Sequence, residues 1–226
     1  LAECLKSIDR IEEALQILAE ATQFYPQESK IHCLFVLYLR DCGRIEEAIA
    51  KAEEASSLLP NDFALKLQSH LLLPILYNEP SEIELYRQRF SQGLQILLLE
   101  IDLSNSKAID NAIEGLKLQT NFYLHYQGLN DVELQKQYGQ LLHRILAVKY
   151  PQWSQPIAMP AAIDGEKIRI GYISTCMRDN VVGRVFVGWL RNCDRQQFEI
   201  YSYSIHRQQD NLTQQFQRYS DTFHHI

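Results

Sequence analysis

Apolar residues return along the first third of the chain at i, i+3, i+4 and i+7, the spacing of helices with one buried stripe. His32, Phe35, Val36 and Leu39 form one such stripe, and Ile45, Ala48, Ala52 and Ala55 a second. The pattern also repeats itself. Arg10-Ile11-Glu12-Glu13-Ala14-Leu15 recurs 34 residues on as Arg44-Ile45-Glu46-Glu47-Ala48-Ile49, and the same offset carries Ala21 onto Ala55 and Pro26 onto Pro60. Landmarks that keep register in both copies predict pairs of antiparallel helices. Small alanines let the two helices approach closely, Gly43 opens the turn between them, and Pro60 ends the second.

A 34-residue helical hairpin is the tetratricopeptide period. Such hairpins stack into a superhelix whose concave side often takes extended peptides. The register turns Cys33, Leu37 and Arg40 toward that groove, so the expected partners are proteins or peptides; the alternative is that the hairpins only stack. The strict repeat then lapses, because Leu94 stands where a third Pro would fall. Asp62 to Tyr77 continues at helical period, and Pro80-Ser81-x-x-Glu84 reads as a helix start with Ile83, Tyr86, Arg87 and Phe90 on one face. Two further stripes predict two helices within residues 107–149: Ile109, Ile113, Leu116 and Leu118, then Leu134, Tyr138, Leu141, Leu142, Ile145 and Leu146. Gly128-Leu129-Asn130-Asp131 separates them, with Asp131 as N-cap. Phe122, Tyr123, Tyr126 and Tyr138 read as core aromatics rather than a stacking platform for sugars or bases.

Pro151, Pro156 and Pro160 then interrupt regular structure, and after Lys167 the period changes. Ile168 to Ser174 reads as a strand, Val182 to Asn192 as an amphipathic helix, Phe198 to Ser204 as a second strand, Leu212 to Tyr219 as a second crossover and Thr222 to Ile226 as a third strand. Helical crossovers imply parallel pairing. The predicted fold class is therefore mainly α, with tetratricopeptide-type hairpins and further helices followed by the start of an α/β Rossmann-like lobe. Its predicted divisions are repeats over 1–62, closing helices over 63–149, a Pro-rich linker over 150–166 and the opening βαβ part of the lobe over 167–226. Parallel sheets are ordinarily covered on both faces. A sheet begun so late in the chain, and an opening at Leu1 without Met or a leader, together lead to the expectation of a truncated lobe in an N-terminal fragment.

Charge and chemistry narrow the function. Lys and Arg number 22 against 28 Asp and Glu, a net charge of −6, and no Lys/Arg run appears, which argues against nucleic acid. The longest apolar run, Leu71 to Tyr77, is broken by Pro74 and too short to span a membrane. Cys4, Cys33, Cys42, Cys176 and Cys193 lack a metal-binding spacing, so no metal is expected, and a reducing cytoplasm fits them. Gly171 and Gly183 form neither GxGxxG nor a P-loop. His224-His225 has no Cys, Asp or Glu partner at ligand spacing, and Cys176 reads as an inert thiol rather than a nucleophile.

Two segments resemble a known family. Ser69-His70-Leu71-Leu72-Leu73-Pro74-Ile75-Leu76-Tyr77 with Pro80 to Phe90 is similar to the helices that close the repeat array in bacterial O-GlcNAc transferase/SPINDLY-type proteins. Lys167 to Ser174, the helix with Phe186, Trp189 and Leu190, Asp194-Arg195 and Phe198-Glu199-Ile200-Tyr201 resemble the opening of that family's catalytic region. The resemblance implies two Rossmann-like lobes, a nucleotide-sugar donor of UDP-GlcNAc type in the full-length parent, and transfer to Ser/Thr of proteins. It also implies a His lining the active site where this chain has Asn180, a second His at Arg184 and an acidic residue at Cys176. Asn has no titratable nitrogen near neutrality and cannot serve as general base. The sequence thus leaves two readings: part of a repeat-bearing glycosyltransferase whose helices recruit protein substrates, or a non-catalytic scaffold keeping a degenerate lobe.

Overall fold

The computed structural model describes residues 1–118, 120–158 and 165–226; Pro160 lies outside the described residues. The chain divides into two compact units, Leu1–Pro156 and Ile157–Ile226.

The first unit opens with α1 (Ala2–Ser7), α2 (Ile11–Phe24), α3 (Ser29–Asp41) and α4 (Ile45–Leu58). The 34-residue offset is reproduced in two hydrogen bonds of each turn. Asp9 N–H bonds Lys6 O and Arg10 N–H bonds Leu5 O, as Gly43 N–H bonds Arg40 O and Arg44 N–H bonds Leu39 O. Both turns pass through a left-handed residue, Gly43 at φ 77° and Asp9 at φ 62°. Asp is among the few side chains that tolerate this region. Arg10 pairs with Glu13 as Arg44 pairs with Glu47. Ala48 and Ala52 are buried on α4 against Phe35, Val36, Tyr38 and Leu39 of α3, and Ala55 packs beside Cys33, while His32 stays half-exposed and hydrogen-bonds Pro26 O at 3.0 Å.

Helix α5 (Phe63–Leu71) is capped by Asp62, whose side chain accepts from Leu65 N–H at 3.0 Å. It is buried nearly all round and lies at the centre of the unit. The helical period expected through Tyr77 stops at Leu71: Pro74 lacks an N–H and its ring would clash with the carbonyl four residues earlier. The carbonyls exposed by that stop are taken up by Arg89 of α6 (Pro80–Glu100). Its guanidinium donates to His70 O at 3.3 Å, Leu72 O at 3.1 Å and Ser69 O. Burial pulls its pKa below the usual arginine value.

Two glycines allow the neighbours of α5 to close in. A Cβ on Gly93 of α6 would lie 2.7 Å from His70 O, and one on Gly115 of α7 (Ser106–Leu116) 2.9 Å from Ala64 N. Helix α8 (Val132–Lys149) completes the core with Leu134, Leu141 and Ile145 against Phe90, Leu94 and Leu97. Leu118, expected on the α7 stripe, lies beyond the helix end and is exposed.

A short 3-10 helix, Phe122–Gln127, precedes α8. Asp131 stands at the N-cap position of α8 but does not cap it. Its carboxylate instead takes Arg87 Nη1 at 2.6 Å, and Asn130 Oδ1 receives Val132 N–H at 3.0 Å. The buried guanidinium of Arg87 requires the carboxylate more than the helix end does. Of the aromatics expected in the core, Tyr123 and Tyr138 pack against it, whereas Phe122 and Tyr126 stand 53% and 62% exposed, their rings edge to face at 5.4 Å. Their short helix is too irregular to present all its rings to one side. Pro151 begins a single 3-10 turn, Pro151–Trp153.

The second unit is β1 (Ile168–Ser174), α9 (Val181–Arg191), β2 (Phe198–Ser204), α10 (Asn211–Arg218) and β3 (Thr222–His225), with parallel strands in the order β1-β2-β3. Val187 and Leu190 of α9 and Leu212 and Phe216 of α10 pack on Ile170, Tyr172, Ile200 and Phe223, so both helices lie on one face. The opposite face carries Arg169, Gly171, Ile173 and Tyr203, with Ile173 69% exposed and Tyr203 stacked on His224 at 4.9 Å.

Identical substitutions at two helical glycines should act in opposite directions. Gly93→Ala forces a Cβ into the α5 backbone and should destabilise the first unit by about 1–3 kcal/mol. Gly139→Ala on α8 meets nothing within 4 Å and should stabilise by about 0.5–1 kcal/mol. Urea denaturation followed by circular dichroism measures both, and equal effects would contradict the close approach at Gly93.

Candidate functional site

In open parallel sheets ligands bind outside the carboxyl ends of the strands, where helix N-termini gather. In the second unit that edge is built by the 175–180 loop after β1, the 205–210 loop after β2 and the end of β3. Asn180 is the N-cap of α9: its Oδ1 accepts Gly183 N–H at 2.8 Å and its Nδ2 lies 3.5 Å from Cys176 O. Gly183 must be glycine, since a Cβ there would sit 2.2 Å from Arg178 O and 2.5 Å from Cys176 O. The loop therefore lies directly on the first turn of α9.

A second helix start fastens the same loop. Asp210 and Thr213 form a capping box on α10, and Asp210 Oδ2 also accepts Asp179 N–H at 2.6 Å. Thr213 Oγ1 donates to Met177 O at 2.8 Å. Backbone N–H groups of Asp179 and Thr213 hold the Asp210 carboxyl below the usual carboxylate range, and a hydrogen bond from Arg184 does the same for Asp179. Arg184, at the second position where the resemblance implies a His, is exposed and paired with Asp179 at 2.6 Å. Neither carboxylate is poised to take a proton near neutrality.

Cys176 is half-buried, with its sulfur 3.7 Å from Thr175 Oγ1. Among the described residues no imidazole hydrogen-bonds Cys176 or Asn180. The histidines of this edge meet elsewhere: His225 Nε2 contacts His206 O and its Nδ1 lies 2.6 Å from Gln209 Nε2. Among the described residues, no group of three or more His, Cys, Asp and Glu could hold a metal. The edge is thus a tightly hydrogen-bonded cradle. Reading along the sequence missed Asp179, Asp210, Thr213 and His206; of these only Asp210-x-x-Thr213 carried a local signal, as a helix-start pattern.

In the helical unit, the three residues expected to face the groove separate. Cys33 is 3% exposed, sealed by Ala55, Ala64 and Leu65 because α5 packs onto it, and it therefore does not face an open groove. Leu37 packs half-buried against the repeat core. Arg40 bonds Asp41 at 2.8 Å, and its guanidinium lies 5.1 Å from the Tyr123 ring centroid, so it too is engaged within the fold. Among the described residues no helix is long and apolar enough to cross a membrane.

Two expectations follow. Burial raises the Cys33 thiol to about 11, so iodoacetamide near neutral pH should alkylate exposed Cys4 promptly and Cys33 only after unfolding; equal rates by peptide mass mapping would contradict the packing. Asn180→Ala should cost the second unit about 1 kcal/mol and Asn180→Asp close to nothing, because Asp caps as well as Asn. Amide exchange in α9 separates the two variants, and equal losses would show that Asn180 is not held as a cap.

No family model matches this chain, and no curated protein matches it. Among solved structures the chain is similar to a mutant of Thermobaculum terrenum O-GlcNAc transferase, with 21% identity and a TM-score of 0.44 over 100% of this chain. It spans 40% of the length of that structure.

Proposed function

We propose that this chain belongs to a repeat-bearing protein glycosyltransferase, contributing the helical arm that recruits protein acceptors and the opening of the lobe that faces the reacting sugar. The observation that carries the reading is the union, in one chain, of 34-residue hairpins in strict register with a parallel βαβαβ unit whose strand ends and helix N-termini gather at one edge. The resemblance of the 167–204 segment to the transferase family supports it further. On this reading a nucleotide sugar of UDP-GlcNAc type donates its glycosyl group to a Ser or Thr hydroxyl in the cytoplasm, and the nucleoside diphosphate leaves. Asn180 does not take the hydroxyl proton in that reaction; it holds the cradle, and the base comes from elsewhere in the protein.

The second reading, a scaffold without catalysis, is favoured by one observation. Neither Asn180 nor Arg184 supplies a proton acceptor, and the two nearby carboxylates are held in their ionised forms. Incubating the full-length protein with radiolabelled UDP-GlcNAc and protein acceptors decides between the two. The enzyme reading expects label on Ser or Thr, retained in Asn180→Asp. Absence of transfer together with absence of nucleotide-sugar binding by calorimetry would leave the scaffold.

A further inference from the structure

The short 3-10 helix Phe122–Gln127 leaves aromatic rings at the surface of the helical unit. Phe122 stands steeply tilted against three neighbours: Tyr126 at 5.4 Å and 90°, Tyr123 at 6.2 Å and 68°, and His125 at 6.2 Å and 76°. Tyr123 and Tyr126 lie 6.0 Å apart with their planes 34° from each other. The rings therefore form a corner, with two tyrosines along one side and Phe122 across it. Packing against the core accounts for Tyr123 but not for Phe122 and Tyr126, whose rings are largely in solvent.

An aromatic ring is negative on its faces and positive at its edge, so an exposed face attracts a cation. The cluster already holds one. The Arg40 guanidinium lies over Tyr123, 5.1 Å from the ring centroid, and pairs with Asp41 at 2.8 Å. Among the described residues no cation lies over Phe122 or Tyr126. The sequence between Lys117 and Asp131 supplies neither Lys nor Arg, and the nearest cations along and across the chain are engaged: Lys117 pairs with Glu114 at 2.5 Å and Arg87 with Asp131 at 2.6 Å. The wider field also favours a cation, since the helical unit holds 21 Asp and Glu against 14 Lys and Arg.

We propose that the Phe122–Tyr126 corner docks an arginine side chain from a basic peptide segment of a partner protein, its guanidinium lying on an open ring face as Arg40 lies on Tyr123. Arginine suits the corner better than lysine, because its planar head group stacks on a ring and is weakly hydrated, whereas an ammonium holds its water. The proposal goes beyond the transferase reading and does not depend on it, since such a docking site serves a transferase and a scaffold alike.

The test is fluorescence anisotropy of the full-length protein, without nucleotide sugar, with three fluorescein-labelled peptides that differ only in the residue alternating with Gly: Arg, Lys, or citrulline, the neutral isostere of Arg. The Arg peptide should bind about 5-fold tighter than the citrulline peptide, the worth of one exposed cation–π contact, with the Lys peptide between them. Phe122→Leu/Tyr126→Leu keeps apolar bulk but removes both rings, and should bring the Arg and Lys peptides to equal affinity; Tyr126→Phe keeps the ring face and should retain the preference. Both side chains are more than half exposed, so circular dichroism should show these variants folded. Equal affinity of the Arg and Lys peptides for the unaltered protein overturns the proposal, because attraction to an acidic unit would then suffice. An Arg preference that survives Phe122→Leu/Tyr126→Leu overturns it as well. Ring-dependent binding of an N-acetylglucosamine oligomer, with no preference among the three peptides, would assign the corner to sugar stacking instead.

Discussion

The guanidinium of Arg89, set between α5 and α6, is the interaction on which the helical unit turns. Pro74 forces α5 to stop beside the buried Leu71, Leu72 and Leu73, and the carbonyls of Ser69, His70 and Leu72 are left without helical partners. A buried carbonyl without a donor costs about 1–3 kcal/mol, so three together would exceed what a small helix can spare. Arg89 meets all three at once, because its planar fork presents several donors in fixed geometry. Gly93, one turn along α6, lets the backbone come near enough for the clamp to reach. Through this joint the regular hairpins hand over to α6, α7 and α8, which no longer follow the 34-residue period.

The same economy of backbone polar groups shapes the α/β unit. Asn180, Asp210 and Thr213 bind main-chain groups around the loop after β1, and Arg195 ties the α9-to-β2 turn to Tyr219 O and Asp221. These side chains hold the strand-end cradle in one shape. Asn180, Asp210 and Thr213 are thus occupied in holding the loop rather than free for proton transfer. A histidine at position 180, as the resemblance implies, would give up the cap that Asn180 provides and would need the helix end satisfied from elsewhere.

Where α3 was expected to offer a groove, Cys33 is sealed by α5 and Arg40 lies under Tyr123.

Local pattern along the chain was enough to read the hairpins, the helix starting at Pro80 and the three parallel strands. These depend on residue spacing, small side chains, turn residues and proline, all of which act over a few positions. The early stop of α5 was written at Pro74, but Arg89 as its remedy was not, since the two lie apart in sequence and meet only when α6 folds back. Asp131 shows the same limit: beside Val132 it looks like a cap, yet the buried charge of Arg87 claims its carboxylate. The sealing of Cys33, the exposure of Phe122 and Tyr126, and the linking of the loop after β1 to Asp210 likewise arise from distant segments brought together. Short-range periodicity specifies the elements, whereas the partners of buried charges and unpaired backbone groups are settled only when the elements pack, because the cost of leaving such groups unsatisfied appears only once water has gone.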